Sequence, residues 1–297
     1  MIGAGELGAA VGALVSAKGA APVFWDADPS KVPNQKPLEE VLGAADAVFF
    51  CVPSWVMRKA LAGALPHLKP GVPVVSFAKG VEEGTLKTMA ELFDELAPDR
   101  PRAVVSGPML AEEISAGKCA VGVVASKDAA LRRALGGIFS LPQFRAEFSD
   151  DPMSVCLAGV LKNVYAVALG IADGLGASEN EKGWLTGRAI REMGEVLASL
   201  GADPAAALGP AGAADLIATG YSAYSRNREV GNQIVKFGKC DLRGEGLSSL
   251  PPLVERLTAA GKSVVAFPFL GLVNEVGIQC RPAEPAFRAF FGDAAPA

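Results

Sequence analysis

The sequence predicts an α/β fold, with an N-terminal Rossmann-like, doubly wound, mostly parallel sheet and an all-helical C-terminal domain. Short apolar runs alternate with helical stretches in the first half, a pattern typical of parallel sheets. Strand signals almost vanish after residue 150. The 297 residues also suit two domains. We therefore expect a boundary near residue 150, with domains at 1–150 and 151–297.

Five apolar segments in the first half are predicted strands. Each is rich in Val or Phe and does not alternate with polar residues, as expected for strands covered on both faces. The predicted strands are 21–25, 47–52, 72–77, 103–106 and 120–125, and helices are predicted at 38–43, 56–65 and 85–96. In the second half, helices are predicted at 155–176, 183–200, 205–208 and 213–219, followed by a helical tail.

Composition excludes several classes of function. The chain is 50% hydrophobic and 20% charged, with a net charge of −4, so we expect no nucleic-acid partner. A single histidine and five cysteines without C-x-x-C spacing argue against a metal site, a disulfide framework and a histidine-dependent hydrolase. The apolar opening stretch carries Glu6 and several glycines, so no export signal or membrane span is expected. A cytoplasmic protein is predicted.

A glycine loop opens the chain and fits G-x-G-x-x-G at Gly3, Gly5 and Gly8. This spacing allows a tight turn, close approach of the backbone to a pyrophosphate, and a helix N-terminus facing the anion. Asp26 follows about 20 residues on, where a carboxylate accepts from a ribose hydroxyl. Dinucleotide binding is therefore predicted, against a merely structural turn. Only two residues precede the loop, so either the first strand is unusually short or the chain start is truncated.

Two lysines lie at positions that suggest a function, one after a predicted strand and one on an apolar helix. Lys79 follows a predicted strand, at the edge where ligands bind in open α/β sheets, although such lysines are usually only solvated. Lys162 and Asp173 are the only charged residues between Val155 and Leu175. An ammonium on so apolar a helix must extend to solvent, pair with an anion, or lose its proton.

Further candidates follow in the helical half. Asp215 lies in a run of small residues, where it could be a helix cap or a functional carboxylate. Arg226, Asn227 and Arg228, with Ser225 beside them, fit either a phosphate-binding group or a solvated helix face. His67 precedes a turn and is assigned no catalytic task.

Together these segments resemble the bacterial-type NAD(P)-dependent glycerol-3-phosphate dehydrogenases over nearly the whole chain. The Lys-Asn-Val and Ser-Arg-Asn-Arg segments are the most specific, and the glycine loop is the least. The matching segments are 3–8, 46–54, 76–80, 106–113, 161–166 with 173–175, 211–217 with 219, and 225–228.

The resemblance implies roles for individual residues. Lys162 would accept the proton of the substrate hydroxyl beside Asp215, and Lys79 would lie near both nicotinamide and substrate. The implied substrate residues are Lys79, Gly107, Lys162, Asp215, Ser225, Arg226 and Asn227, with Arg226 on the phosphate. The implied cofactor residues are Gly3, Gly5, Glu6, Leu7, Gly8, Asp26, Lys79, Ala111, Arg226 and Glu245.

Four positions depart from the family pattern. Glu6 and Leu7 replace the Ser/Trp-like pair in the glycine loop, and the other two bear on specificity. Met109 replaces a small hydroxyl residue, which removes one expected hydrogen bond to the substrate. Ala27 stands where many members carry Arg or His, and Asp26 and Asp28 flank it. A 2′-phosphate would meet carboxylates there, so NAD is predicted over NADP.

The implied reaction is hydride transfer between sn-glycerol 3-phosphate and dihydroxyacetone phosphate, which supplies glycerol 3-phosphate for phospholipid synthesis. A homodimer is expected. Two alternatives remain: a related reductase of a small hydroxy acid such as ketopantoate, and a nucleotide-binding scaffold that has lost catalysis.

Overall fold

The structure, a computed structural model, describes residues 1–238 and 243–293 and consists of two compact units. The first unit comprises Met1–Lys79 and Lys87–Cys156, and the second comprises Gly80–Leu86 and the chain from Leu157 onward. Cys240 lies outside the described residues.

A short segment of the first half belongs to the second unit. The Val81 N–H donates to Ser249 Oγ at 3.2 Å, and Arg256 Nη1 donates to the Leu86 carbonyl at 2.8 Å. These two hydrogen bonds fix both ends of the segment. It has no apolar periodicity, so the sequence pattern does not reveal where it packs.

The first unit is built on a five-stranded sheet in the order β1-β2-β3-β4-β5. Neighbouring strands are parallel except for the antiparallel pair β3–β4, which confirms the predicted mostly parallel α/β fold. The strands are β1 (Val48–Phe50), β2 (Val74–Ser76), β3 (Arg102–Ser106), β4 (Ala120–Ala125) and β5 (Phe144–Ser149).

Beyond β1 the sheet continues through two isolated bridges. Ile2 pairs in parallel with Phe50 on one side and with Trp25 on the other. The predicted strand at 21–25 is therefore wrong except for Trp25. Pro22 has no N–H to donate, and Val23 is 51% exposed.

Strand β5 was not expected, because the predicted series ended at residue 125. Its pairing with β4 is regular and parallel over six residues. Its burial alternates only in part, with Phe144 buried and Phe148 54% exposed. The interleaved Arg and Glu residues of this edge strand hid the signal, since the prediction looked for continuous apolar runs.

The helices of the first unit include one whose start differs from the prediction. A helix was predicted from residue 85, but the observed one begins at Met89. Thr88 caps it, since Thr88 Oγ1 accepts from the Glu91 N–H and Glu91 Oε2 accepts from the Thr88 N–H. The helices are α1 (Glu6–Ser16), α2 (Leu38–Gly43), α3 (Ser54–Ala64), α4 (Met89–Leu96), α5 (Ala111–Ser115) and α6 (Ala129–Phe139).

Aromatic side chains dominate one face of the sheet. The ring centroids of Phe49 and Phe77 lie 6.1 Å apart, and those of Phe139 and Phe144 lie 4.9 Å apart. All four are buried in a cluster that α1 and α6 cover. Full burial of a Phe side chain contributes about 1.5–3 kcal/mol, so this cluster supports the sheet from which the loops below emerge.

From Leu157 onward, the regular elements that the structure describes in the second unit are helices. Helix α7 begins at Pro152, within the last residues of the first unit, and continues into the second. It is long and apolar enough to cross a membrane, but all of its apolar window is buried, as in the core helix of a globular protein. The helices are α7 (Pro152–Gly174), α8 (Glu179–Ser199), α9 (Asp215–Tyr221), α10 (Arg226–Phe237), α11 (Glu245–Ala259), α12 (Pro268–Gly277) and α13 (Ala283–Asp293).

Helices α7 and α10 cross at very short distance because two glycines meet there. A Cβ on Gly170 would lie 2.1 Å from the Arg228 carbonyl oxygen, and one on Gly231 would lie 2.2 Å from the Val167 carbonyl oxygen. This contact fixes α10, which carries several predicted substrate residues, against α7, which carries Lys162.

Two short predicted helices take other forms. Residues 205–208 correspond to a single 3₁₀ turn at Pro204–Ala207, and the segment at 213–219 begins as a π-helical turn at Pro210–Ala214 that continues directly into α9. Gly212 explains this tight packing, since a Cβ there would lie 2.4 Å from the Ala207 carbonyl oxygen. Asp215 is therefore the first residue of α9.

Candidate active site

Each of the three glycines in the glycine loop occupies its position for a different structural reason. Gly3 has φ +96°, and a Cβ there would lie 2.5 Å from the Cys51 carbonyl oxygen. A Cβ on Gly8 would lie 2.1 Å from the Gly3 carbonyl oxygen. Around Gly5, by contrast, nothing lies within 4 Å of the Cβ position. Gly3 and Gly8 are thus required by the loop itself, and Gly5 leaves the backbone open to a ligand.

The N-terminus of α1 meets the requirements of a pyrophosphate site. Gly5 is its N-cap and no side chain caps the helix, so its first N–H groups are oriented toward the open side of the loop. Glu6 is exposed, and the Leu7 side chain packs against the hydrophobic cluster of the sheet. The residues present therefore fit a dinucleotide, with Leu7 able to contribute only its backbone.

Asp26 is tied to this loop. Its Oδ2 accepts from the Ala4 N–H at 2.8 Å, and its Oδ1 accepts from the Asp28 N–H at 2.9 Å. Burial acts to raise the pKa of Asp26, but these two hydrogen bonds and the nearby Lys31 ammonium together lower it below its usual value. The ionised carboxylate lies beside the glycine loop, as a ribose-binding group would require.

Lys79 and Gly107 are brought together at the carboxyl ends of β2 and β3. Lys79 Nζ donates to the Gly107 carbonyl at 2.8 Å. Gly107 has φ +139°, and a Cβ there would lie 2.6 Å from the Val121 carbonyl oxygen, so only glycine fits. The chain then turns into α5, where Ala111 is the first residue. The side chain of Met109 is buried in the hydrophobic cluster of the sheet.

In the second unit, Lys162 pairs with an anion, which was one of the three outcomes considered for it. Lys162 Nζ lies 3.0 Å from Asp215 Oδ1 and 3.0 Å from Thr219 Oγ1, and the Thr219 hydroxyl donates to the same Asp215 oxygen at 3.0 Å. The exposed fractions of Lys162, Asp215 and Thr219 are 5%, 2% and 5%.

Sequence reasoning assigned no role to Thr219. Asp215 and Thr219 lie four residues apart on α9, so both face α7. This spacing is the signal that could have revealed the pair. The result is a closed triangle of one cation, one anion and one hydroxyl, each of which holds the other two.

The predicted substrate residues of α10 are placed by a chain of hydrogen bonds. Asn227 Nδ2 donates to Asn163 Oδ1 at 2.9 Å, and Asn227 Oδ1 accepts from the Gly246 N–H at 3.0 Å. Asn163 follows Lys162 on α7, and Gly246 follows Glu245, the first residue of α11. Asn227 thereby connects α7, α10 and α11 beside Lys162.

Ser225 and Arg226 begin α10. Ser225 Oγ accepts from the Arg228 N–H at 3.2 Å and caps the helix. Arg226 is exposed, and its Nε donates to the Arg243 carbonyl at 3.1 Å. Of the two arginines in this segment, Arg226 is therefore the one that can reach an external anion.

Arg228 has a structural partner instead. It pairs with Asp173 on α7, which also pairs with Lys182 at 2.8 Å. The hydrogen bond from Lys182 is the main reason why the pKa of Asp173 is lowered, and Arg228 adds to it. Asp173, the second charged residue of the apolar stretch, therefore joins α7 to α8 and α10.

No group of three His, Cys, Asp or Glu side chains that could hold a metal ion occurs among the residues the structure describes. His67 is exposed in the 3₁₀ turn Leu65–His67. The four cysteines within the described ranges are free thiols. Burial raises the pKa of both Cys51 and Cys156 to about 12, so neither forms a thiolate near neutral pH.

Two family models and several known proteins match this chain. A family model for the N-terminus of NAD-dependent glycerol-3-phosphate dehydrogenase matches residues 27–132, and the model for the C-terminus of the same family matches residues 151–279. Glycerol-3-phosphate dehydrogenase (NAD(P)+) 2 of Sphingopyxis alaskensis is 36% identical over 258 residues, which cover 84% of this chain and 77% of that protein. The Pseudomonas fluorescens glycerol-3-phosphate dehydrogenase (NAD(P)+) is 35% identical over 303 residues, with 94% and 85% coverage.

Solved structures show the same fold. Glycerol-3-phosphate dehydrogenase from Coxiella burnetii superposes with a TM-score of 0.90 at 23% identity and covers 98% of this chain and 97% of its own. A ketopantoate reductase from Ralstonia eutropha superposes with a TM-score of 0.60 at 17% identity, with 94% and 99% coverage.

Proposed function

The chain belongs to the NAD-dependent glycerol-3-phosphate dehydrogenase family, and from that premise we propose how its own residues divide the work of the reaction. The enzyme interconverts sn-glycerol 3-phosphate and dihydroxyacetone phosphate with NAD(P). The observation that carries the proposal is the buried triangle of Lys162, Asp215 and Thr219. The Lys162 ammonium can give up one proton, and Asp215 and Thr219 fix its position.

A bound nicotinamide ring supplies or accepts the hydride at its C4, and the protein manages the proton. In the direction of reduction, the Lys162 ammonium gives one proton to the C2 oxygen as that carbon becomes an alcohol. In the direction of oxidation, the Lys162 amine takes the C2 hydroxyl proton and becomes an ammonium. Asp215 stabilises the ammonium form, and Thr219 keeps both groups in place. General acid–base catalysis of this kind contributes about 10²–10⁴-fold.

Arg226 is the cation assigned to the phosphate of the triose, and Lys79 is assigned to the nicotinamide and the substrate. Arg226 is exposed at the start of α10 and can bind two phosphate oxygens with its planar guanidinium. Lys79 is held by the Gly107 carbonyl at the carboxyl end of the sheet. Ser225 and Asn227 hold the backbone from which Arg226 extends. Binding the phosphate away from the reacting carbon fixes that carbon for hydride transfer.

The dinucleotide is assigned to the domain at 1–150 and the triose to the domain at 151–297. Gly3, Gly5 and Gly8 would hold the pyrophosphate against the N–H groups of Glu6 and Leu7. Asp26 would accept from the ribose hydroxyls, which favours NAD over NADP. Further cofactor contacts are assigned to Lys79, Ala111, Arg226 and Glu245.

Three wider properties belong to the same proposal. The enzyme would act in the cytoplasm, as a homodimer, and would supply glycerol 3-phosphate for phospholipid synthesis. The reducing setting is supported by the free thiols of Cys51, Cys119, Cys156 and Cys280. Sedimentation velocity at micromolar protein tests the oligomeric state, and a sedimentation coefficient of a monomer would contradict it.

The function is tested by mixing the purified chain with NADH and dihydroxyacetone phosphate and following absorbance at 340 nm. We expect oxidation of NADH, and production of glycerol 3-phosphate in an equal amount. NADH that binds but is not oxidised with any phosphorylated triose would identify a scaffold that has lost catalysis.

A hydroxy-acid reductase is the second candidate, because the fold is shared with a ketopantoate reductase and because Met109 removes one expected contact to a triose. The same assay with ketopantoate in place of dihydroxyacetone phosphate separates the two. Faster oxidation of NADH with ketopantoate would replace the first proposal by the second.

A further inference from the structure

The segment that follows Trp25 places a cation beside the carboxylate assigned to the ribose. Asp26 is fixed by the glycine loop through its hydrogen bond from the Ala4 N–H. Lys31 Nζ lies 3.6 Å from Asp26 Oδ1, with its side chain 48% exposed. Residues that lie five apart in sequence come together here because the chain turns back on itself.

That turn is built by residues other than Lys31. Asp28 caps the 3₁₀ turn Pro29–Lys31, since its Oδ1 accepts from the Ser30 N–H at 3.1 Å and from the Ser30 hydroxyl at 2.7 Å. Gln35 then holds the backbone of Asp26 from both sides, accepting its N–H at 2.7 Å and donating to its carbonyl at 2.9 Å. The position of Lys31 is therefore set by the fold of the segment.

The charged groups of the segment after Trp25 include both anions and a cation, so their net effect on a 2′-phosphate is not only repulsion. Asp26 and Asp28 contribute two negative charges, but the Asp28 carboxylate is turned toward Ser30 and Lys31 adds a positive charge next to Asp26. Carboxylates at the end of the second strand favour a ribose 2′-hydroxyl, whereas a cation there accommodates a 2′-phosphate. The segment contains both kinds of group within one short turn.

We propose that Lys31 sets the discrimination between NAD(H) and NADP(H), by pairing with Asp26 when the 2′ position is a hydroxyl and with the 2′-phosphate when it is esterified. This inference rests on the proposed function, because it assumes that the glycine loop binds a dinucleotide. It makes NAD(H) the preferred cofactor and keeps NADP(H) as a usable one. Without Lys31, the 2′-phosphate would meet two uncompensated carboxylates.

Lys36 offers a matched control in the same segment. It is 61% exposed and pairs with Glu40 four residues on, a helix-surface pair separate from Asp26. Lys31→Ala and Lys36→Ala remove the same charge from the same segment. A merely general loss of positive potential would therefore affect both variants alike.

The test is equilibrium binding of NADH and of NADPH, measured by fluorescence titration without triose, for the wild type and both variants. Lys31→Ala should weaken NADPH binding by about tenfold or more and change NADH binding by no more than about threefold. Lys36→Ala should leave the ratio of the two affinities within about twofold of the wild type. Thermal unfolding of each variant checks that the segment still folds.

Each result of these titrations either supports or overturns the proposed role of Lys31. If the ratio of NADH to NADPH affinity of Lys31→Ala lies within about twofold of the wild-type ratio, the role of Lys31 is overturned. The proposed function is not, since dinucleotide binding itself would persist. Wild-type protein that binds NADH but shows no binding of NADPH at about 1 mM overturns the role of Lys31 as well. Wild-type protein that binds neither dinucleotide overturns both this inference and the proposed function.

Discussion

The glycine loop of the first unit and the Lys162 triangle of the second differ in what they are made of. The loop presents backbone, and its glycines are fixed by contacts with other backbone atoms such as the Cys51 carbonyl. The triangle consists of the side chains of three residues that are each at least 95% buried. The glycine loop is assigned to bind its ligand through backbone N–H groups that no side chain covers. The triangle is assigned to proton transfer through three specific side chains.

This difference predicts how each region responds to substitution. A loop that binds through its backbone would tolerate the departures at Glu6 and Leu7, because only the N–H groups of these two residues are assigned to the pyrophosphate. A buried ion pair tolerates almost no change, because removing one partner leaves the other charge uncompensated. We therefore expect the largest effects in the triangle and graded effects in the loop.

Replacing Lys162 should have the largest effect on turnover. Lys162→Ala removes the proton donor and should lower kcat by about 10²–10⁴-fold, while NADH binding stays within about threefold. It should also destabilise the fold by about 3–5 kcal/mol, because Asp215 loses its counter-charge. Steady-state kinetics, NADH titration and thermal unfolding measure the three effects.

Lys162→Arg separates catalysis from folding. Arg keeps the positive charge beside Asp215 but does not release its proton at working pH, so the fold should survive while turnover collapses. Lys262→Ala, which removes an exposed lysine elsewhere in the second unit, is the control. A folded Lys162→Arg protein with turnover near that of the wild type would contradict the assignment of the proton to Lys162.

The second and third glycines of the loop, Gly5 and Gly8, should respond differently to an added methyl group. Gly8→Ala forces a Cβ to within 2.1 Å of the Gly3 carbonyl oxygen, so it should lower the free energy of unfolding by about 1–3 kcal/mol. Gly5→Ala meets no atom within 4 Å and should leave stability within about 0.5 kcal/mol of the wild type.

Gly5→Ala should nevertheless weaken NADH binding by about tenfold, because the methyl group occupies the space through which the backbone approaches a pyrophosphate. Denaturant unfolding and NADH titration of both variants make the comparison. If Gly5→Ala bound NADH as tightly as the wild type, the pyrophosphate would not lie at this loop.

The same contrast explains what the sequence could and could not predict. The loop was visible because its spacing is local, within six residues. Lys162 was visible as an anomaly on an apolar helix, but nothing in its own neighbourhood pointed to Asp215, which lies 53 residues away. That pairing came only from the resemblance to a family. Thr219 was included in a segment that matches the family but was given no role, because a lone threonine on a helix carries no signal until its neighbour is known.

In the fold, the buried strands were predictable because both faces are apolar. Strand β5 was not, since the charged residues that alternate with Phe144, Ala146 and Phe148 conceal it. The position of Lys31 was not predictable either. It depends on the Asp28 cap and on the two hydrogen bonds between Gln35 and the Asp26 backbone, which no periodicity reveals.

The smallest expected effect is a pair of opposite pH dependences, one in each unit. Burial raises the pKa of Glu192 above 4.5, although its carboxylate accepts from the Phe269 and Leu270 N–H groups and from the Tyr165 hydroxyl. Its contribution to stability is therefore fully present below pH 4.5 and is lost as the pH rises through the raised value. Asp26 has the reverse sign: its lowered pKa gives stability above pH 3.8 that is lost as the pH falls.

The measurement is the free energy of unfolding against pH for the wild type, Glu192→Gln and Asp26→Asn, with Glu255→Gln, at an exposed carboxylate of α11, as control. The advantage of the wild type over Glu192→Gln should shrink as the pH rises from about 4.5. Its advantage over Asp26→Asn should shrink as the pH falls below about 3.8. The two differences must change in opposite directions. At Glu192 burial outweighs the groups that lower the pKa, whereas at Asp26 the Ala4 and Asp28 N–H groups together with Lys31 outweigh burial. If both changed in the same direction, the electrostatic contrast between the two units would be wrong.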